Sequence, residues 1–282
     1  MRILTRKKGK RTYFYLQHSF RKDGKVITKE KYLGIKVPKD LEKLKQKLKS
    51  EEKNILYEKL KSIKENFQEE WKRYLDTIKE KEKEEIAITF TYNTNAIEGS
   101  TITLEETREI IQDNVAPNKP IKDVKETEAH YRVFLKMLNK KEQMSNKLIL
   151  KWHNDIFRET KQDIAGKFRD YLVRVGEYRA PDWQDVKKLM SQFTAFVKEN
   201  MHPVELAARA HYKFEKIHPF GDGNSRIGRL IINHILWHNG YPMLIIEYKK
   251  RKSYYKALQK DEEKFLKYFL RRYLSIHKKR LK

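Results

Sequence analysis

Residues 217–229 read IHPFGDGNSRIGR, and few stretches of this length leave a chain so little conformational choice. Pro203–Ile217 before it and Ile227, Leu230, Ile231 and Ile235 within and after it carry apolar residues at helical spacing. Proline disfavours helical geometry in the residue that precedes it, so a first helix is expected to end at His218. Gly221, Asp222, Gly223 and Asn224 suit a tight turn with several N–H groups pointing one way. A second helix is expected from about Ser225. The stretch therefore predicts helix, glycine turn and helix.

A glycine-bearing turn that feeds a helix start is a ready anion site. Arg226 and Arg229, three apart, lie near that start, and guanidiniums offer paired donors to phosphate oxygens. Asp222 supplies the hard oxygen that Mg²⁺ prefers when it also binds phosphates. His218 can take a proton near neutrality. Base, carboxylate, anion turn and two arginines are the parts of a phosphate-transfer site. The stretch has no Gly-Lys-Ser/Thr and so is no Walker loop, and His211 and His218 lack a third zinc ligand in register. The chain has no cysteine, which excludes disulfides and thiol nucleophiles. Its net charge of +25 favours phosphate-bearing partners, although Lys and Glu enrichment also accompanies heat adaptation.

The remaining sequence reads as mostly α. Residues 1–36 are expected to form a small basic antiparallel unit, with a turn at Lys22-Asp23-Gly24. Its Tyr13, Phe14, Tyr15 and Phe20 read as one sheet face packed on the next helix, in preference to a nucleic-acid surface. Residues 37–85 are dense in Lys and Glu with apolar residues three and four apart, which predicts one or two amphipathic helices. Residues 86–282 read as a compact helical domain. Thr103 and Glu106 have capping-box spacing, and Lys122–Leu138, Ser145–Thr160 and Trp183–Glu199 read as helices. Lys167–Arg179 is β-like, turning at Gly176. There is no run of eighteen apolar residues and no apolar signal-peptide core, so a cytoplasmic protein without a membrane partner is expected.

HPFGDGNSRIGR resembles the signature of the Fic family, His-Pro-Phe-x-Asp/Glu-Gly-Asn-Gly/Lys-Arg-x-x-Arg. HPVELAARAHYKFEKIHPF, GYPMLIIEYKKRKSYYKAL and AGKFRDYLVRVG resemble its flanking helix, its downstream segment and its target-aligning flap. The similarity covers roughly residues 86–275. It implies a Fic-type helical core with a β-hairpin flap and transfer of AMP from ATP to a protein hydroxyl. His218 would be the general base, and Asp222 would hold Mg²⁺ or Mn²⁺. Asn224 with the backbone of Gly223 and Ser225 would form the anion hole, beside Gly221. Arg226 would hold the terminal phosphates and Arg229 would orient the γ-phosphate. Phe220 would anchor the loop. Tyr255 and Leu258 resemble the adenine-pocket residues, with ordinary helix core as the other reading. Tyr171, Leu172, Val173, Arg174 and Val175 would align the target chain by strand pairing.

TNAIEGSTITLEE resembles the family's inhibitory helix, Ser/Thr-x-x-x-Glu-Gly/Asn, here Thr94, Glu98 and Gly99. A carboxylate on Arg229 would remove the group that receives the γ-phosphate. The same glutamate can assist AMP removal in relatives, so both roles stand open. Ser225 departs from the usual Gly or Lys. At ordinary helical angles it is expected to fit, with its hydroxyl a candidate donor to phosphate. Self-modification, a homodimer, another nucleotide donor and a nucleotide-sensing nucleic-acid regulator remain further alternatives.

Overall fold

The computed structural model describes residues 1–22 and 25–281; the expected Asp23-Gly24 turn lies outside them. The chain forms two compact units, Met1–Ser62 and Ile63–Lys282. The first holds β1 (Arg2–Lys8), β2 (Arg11–Lys22) and β3 (Lys25–Gly34), an antiparallel sheet in the order β1-β2-β3. Helix α1 (Leu41–Arg73) begins in this unit and runs into the second. Leu16 and Phe20 of β2 and Leu48 of α1 are buried. His18 and Lys29 on the same sheet face pair with Glu52 and Glu51 of α1 at 2.8 and 2.6 Å.

The second unit adds α2 (Asp76–Ile97), α3 (Leu104–Arg108), α4 (Ile121–Asn139), α5 (Asn146–Phe157), α6 (Val186–Phe196), α7 (Pro203–Ile217), α8 (Asn224–His238), α9 (Arg251–Leu258) and α10 (Glu262–Ile276). Residue 85, where the long charged segment is expected to give way to the helical domain, falls inside α2. The capping box forms as its spacing predicts, with Thr103 Oγ1 accepting from Glu106 N–H at 3.1 Å and Glu106 Oε2 accepting from Thr103 N–H at 2.8 Å. The β-like segment is shorter than expected: only Arg174–Val175 (β4) and Tyr178–Arg179 (β5) pair, about the left-handed Gly176. Tyr171 and Leu172 are exposed coil.

Helix α8 sits at the centre. Residues Arg226 to Leu236 are all buried, which a helix achieves only when neighbours cover its whole circumference. Trp237 at its far end meets Trp71 edge-on at 5.2 Å, and α2 stacks on α4 through Phe90 and Phe134 at 4.2 Å. Among the described residues no helix is long and apolar enough to cross a membrane.

Candidate active site

The start of α8 gathers the site. Helix α7 ends at Ile217, and His218 caps it in the left-handed region at φ 49°. A non-glycine residue there costs about 1 kcal/mol or more, so tertiary contacts must hold it. One contact is Arg169, 4% exposed, whose Nε donates to the His218 carbonyl at 2.8 Å. Its other nitrogens donate to the carbonyls of Tyr171 (2.8 Å) and Pro181 (2.6 Å), which tie the flap to the same loop. Burial pushes the His218 pKa below the ordinary histidine value, against a hydrogen bond with the Glu215 backbone. The imidazole is therefore neutral at pH 7 and able to accept a proton.

The loop after His218 is built on its own side chains. Phe220 is fully buried and stacked on His153 at 3.8 Å. The Asn224 side chain accepts from Phe220 N–H and donates to Phe220 C=O, both at 2.8 Å, so it closes the turn. Gly166 N–H donates to His153 Nδ1 at 3.0 Å, leaving Nε2–H to donate to the Asp222 carbonyl at 3.0 Å. Burial holds the His153 pKa down to about 4, so this tie is neutral and permanent near pH 7. Gly223 is left-handed at φ 77° and favours glycine, whereas a Cβ on Gly221 would meet Tyr171 Oη at 2.0 Å, the far end of a side chain that can give way.

Ser225 lies within the first turn of α8 at ordinary helical angles, as expected, because the only positive-φ non-glycine residues described are Asn114 and His218. Its hydroxyl does not face an anion site: it donates to Glu215 Oε2 at 3.1 Å. Burial raises the Glu215 pKa to about 7.

Four charges interlock beside the loop. Glu126 on α4 accepts from Thr160 Oγ1 (2.9 Å), Lys161 Nζ (2.8 Å) and Arg226 Nη1. Lys161 Nζ also reaches Asp222 Oδ2 at 2.8 Å. The Arg226 guanidinium lies over Phe157 at 4.4 Å. Burial would raise both carboxyl pKa values, yet Arg226 and Lys161 outweigh it and hold both below the usual range. Half-exposed Asp222 opens on a cleft of about 390 Å³ whose walls include Asn95, Glu98, Glu126, Lys161 and Arg226. Among the described residues no three His, Cys, Asp or Glu stand together as a metal cage. One carboxylate completed by phosphate oxygens and water is, however, a donor set Mg²⁺ takes at nucleotide sites, so Asp222 fits that role.

One turn further along α8, Arg229 is 1% exposed. Its Nε donates to Thr94 Oγ1 at 2.6 Å, and its Nη2 donates to Thr94 C=O at 3.1 Å and to Glu98 Oε1 at 2.7 Å. Its buried Nη1 has no protein partner. Glu98 caps the C-terminus of α2, and the end is a Schellman motif: Gly99, at φ 97°, donates to Ala96 C=O and Ser100 donates to Asn95 C=O. Gly99 thus stops the helix where Glu98 faces Arg229.

Residues 143–236 match the Fic/DOC family. The chain belongs to the Fic/DOC family. It is 35% identical over 189 residues to "Protein adenylyltransferase Fic" of Nematostella vectensis, covering 64% of this chain and 44% of that protein. The Culex quinquefasciatus protein of the same name is 34% identical over 211 residues, 70% of this chain and 41% of its own. The chain thus spans less than half the length of these curated relatives. Fic-1 of C. elegans superposes with a TM-score of 0.68 at 26% identity, covering 86% of this chain and 77% of that one. A Fic-domain protein of Bacteroides thetaiotaomicron shares the fold at a TM-score of 0.66 and 23% identity, over 80% and 94% of the two chains.

Within this Fic domain the sequence-predicted residues separate into groups. His218, Asp222, Arg226 and Arg229 converge on the start of α8, and Thr94 and Glu98 converge on Arg229. The expected flap stands beside the loop through Arg169 and Tyr171. Tyr255 is 37% exposed, with its hydroxyl 3.5 Å from Ile97 C=O, and burial holds its phenol at about 12. Leu258 is partly buried on the same helix. The core positions of α9 are Ala257 and Tyr254, the latter fully buried and bonded to His211 at 2.8 Å. Glu126, Lys161, Arg169, His153 and Glu215 carry no motif spacing, so sequence reasoning misses them. A charged residue within an otherwise apolar helical stripe is the one available signal, for Glu215 in HYKFEKI.

Proposed function

We propose that this chain is a protein adenylyltransferase that moves AMP from ATP to a Ser, Thr or Tyr hydroxyl of a protein, and that Glu98 holds it inhibited. The relatives named adenylyltransferases support the reaction class. The observation that carries the reading is Arg229, held by Thr94 and Glu98 beside an open cleft lined by Arg226 and Asp222.

In this reading neutral His218 accepts the hydroxyl proton as the oxygen attacks the α-phosphorus. The new O–P bond forms as the α–β bridge breaks, and pyrophosphate leaves. The Ser225 N–H receives an α-phosphate oxygen, joined by the Gly223 N–H once that leaves Asp222 Oδ1, to which it donates at 2.6 Å in this structure, with Asn224 holding the turn closed. Arg226, stacked on Phe157, meets the terminal phosphates, and Lys161 stands beside it. Asp222 would hold Mg²⁺ or Mn²⁺, which would neutralise phosphate charge. Tyr171–Val175 presents edge backbone to the target. Arg229 is needed to fix the γ-phosphate in line, and while Glu98 holds it the α-phosphate sits out of line with the base. Misplacement of this kind costs orders of magnitude in rate.

The test is incubation of wild type and Glu98→Gly with α-labelled ATP and Mg²⁺. The readout is label on the protein that phosphodiesterase releases as AMP, with intact mass as a second measure. Strong label on Glu98→Gly and little on wild type is expected. No label on either, across ATP, UTP, GTP and CDP-choline, overturns the reaction. Equal label on both overturns the inhibition alone.

A further inference from the structure

The aromatic residues of the N-terminal sheet do not share one face. The register sets Arg6 opposite Tyr13, Lys8 opposite Arg11 and Tyr15 opposite Tyr32. Side chains alternate along strands. Phe14, Leu16, His18 and Phe20 therefore point one way, toward the face where His18 pairs with Glu52 of α1. Arg6, Lys8, Arg11, Tyr13, Tyr15 and Tyr32 point the other. The expectation that Tyr13 and Tyr15 pack with the phenylalanines on the helix is corrected by this alternation.

The second face carries one exposed ring, Tyr32, beside the partly buried Tyr13 and Tyr15, among exposed cations. The Tyr32 ring lies 6.1 Å from Tyr13 and 5.3 Å from Tyr15, and is 53% exposed. The Arg6 guanidinium lies 4.6 Å over Tyr15. Lys8 and Arg11 are exposed at the adjoining turn. Arg6 also pairs with Glu30 at 2.6 Å, which neutralises the acidic group of this face. Residues 1–36 hold twelve Lys and Arg against two Asp and Glu, a net +10 of the chain's +25. A cationic surface alone fits any polyanion, but an exposed tyrosine ring backed by two partly buried ones among the cations fits one whose bases can stack.

We propose that this sheet face binds single-stranded nucleic acid, with phosphates on Lys8 and Arg11 and unpaired bases stacking on the exposed Tyr32 ring. A duplex hides its base faces, so it can use only the cations. The inference is independent of the AMP-transfer reading.

The full chain is titrated into labelled oligouridylate and oligothymidylate of about 15 nucleotides, and into a duplex of the same length, by fluorescence anisotropy over about 50 to 200 mM salt. Either single strand is expected to bind more tightly than the duplex. Tyr32→Ala should weaken binding about five- to a hundredfold, the range for removing one stack, while Tyr32→Phe retains it. Lys8→Glu with Arg11→Glu should reduce the salt slope by about 0.7 for each phosphate no longer neutralised. Circular dichroism of each variant distinguishes an unfolded sheet from a folded one that binds weakly. Failure to bind, tighter duplex binding, indifference to Tyr32→Ala in a folded variant, or equal competition by polyglutamate overturns the proposal.

Discussion

The two units of this chain use charge in opposite ways. Met1–Ser62 holds twenty Lys and Arg against seven Asp and Glu, a net +13 in 62 residues, whereas the remaining 220 residues carry +12. The ion pairs of the first unit are largely exposed and leave a surplus of cations outside. In the second unit the arginines that matter are buried and matched: Arg226 with buried Glu126, and Arg229 with Glu98, which reaches it from the edge of the cleft. Exposed surplus charge acts as a field that salt screens. Buried matched charge acts as geometry, because moving one partner leaves the other desolvated. Changes in the second unit should therefore be large and local, and changes in the first small for stability and graded with salt.

The largest expected effect tests the buried side. Adding His218→Ala to Glu98→Gly should lower label transfer about 10²- to 10⁴-fold, the range for removing a general base. With His218 intact, the rate of Glu98→Gly should fall in acid through a pKa below 6.5, since burial lowers that of the imidazole. Glu98→Gly against wild type comes next. Freeing Arg229 should raise auto-labelling about tenfold or more, the order associated with restoring in-line geometry. Charge reversal at Lys8 or Arg11 should change neither rate; a change in either would break the separation between the units.

Glu126→Ala sharpens the contrast through stability. It strips the counter-charge from buried Arg226 and from Lys161, which costs about 3–5 kcal/mol, or roughly 10 °C in Tm for a domain of this size. The Glu126 pKa is lower folded than unfolded, so its contribution is present above the ordinary carboxylate range and vanishes as pH falls through the folded value. The variant should flatten that acid limb. Exposed Lys8→Glu should shift stability by no more than about 0.5 kcal/mol. Thermal melts at two pH values check both.

Glu126 also marks the boundary of what is legible in the sequence. The helix end at Ile217, the Thr103 cap, the glycine turn and the Thr94–Glu98–Gly99 end of α2 can be read because each depends on neighbours a few residues away. Glu126 meets Arg226 across 100 residues of chain, and in KDVKETEAH it looks like one more solvated charge. Arg169 looks like a flap residue, yet it works by donating to the His218, Tyr171 and Pro181 carbonyls. The tyrosines of β2 resist assignment for a different reason: composition gives the aromatic content, and only register gives the face.

A smaller effect is expected at Gly221. An alanine Cβ would overlap Tyr171 Oη, the far end of a side chain, so the ring can move and the fold should persist. What moves with it is the flap. Gly221→Ala in the Glu98→Gly background should keep ATP affinity, measured calorimetrically, and lower transfer several-fold. An equal drop in affinity and transfer would mean that the loop, not the flap, had shifted.

The smallest effect concerns Ser225, where the usual family residue is Gly or Lys. Its hydroxyl is committed to Glu215, so Ser225→Gly should leave ATP affinity unchanged; a clear weakening would mean that the hydroxyl serves phosphate instead. The substitution adds the cost of glycine in a helix, about 0.5–1 kcal/mol. It also removes a bond that favours the ionised carboxylate, which moves the Glu215 pKa further up from about 7. Between the unfolded and folded values the native state keeps a proton that the unfolded state has released, so stability falls as pH rises across that window. In wild type the decline should level off near pH 7, and in Ser225→Gly it should continue to higher pH. Denaturant midpoints measured from about pH 5 to 8.5, the span of that window, should therefore diverge most at the alkaline end.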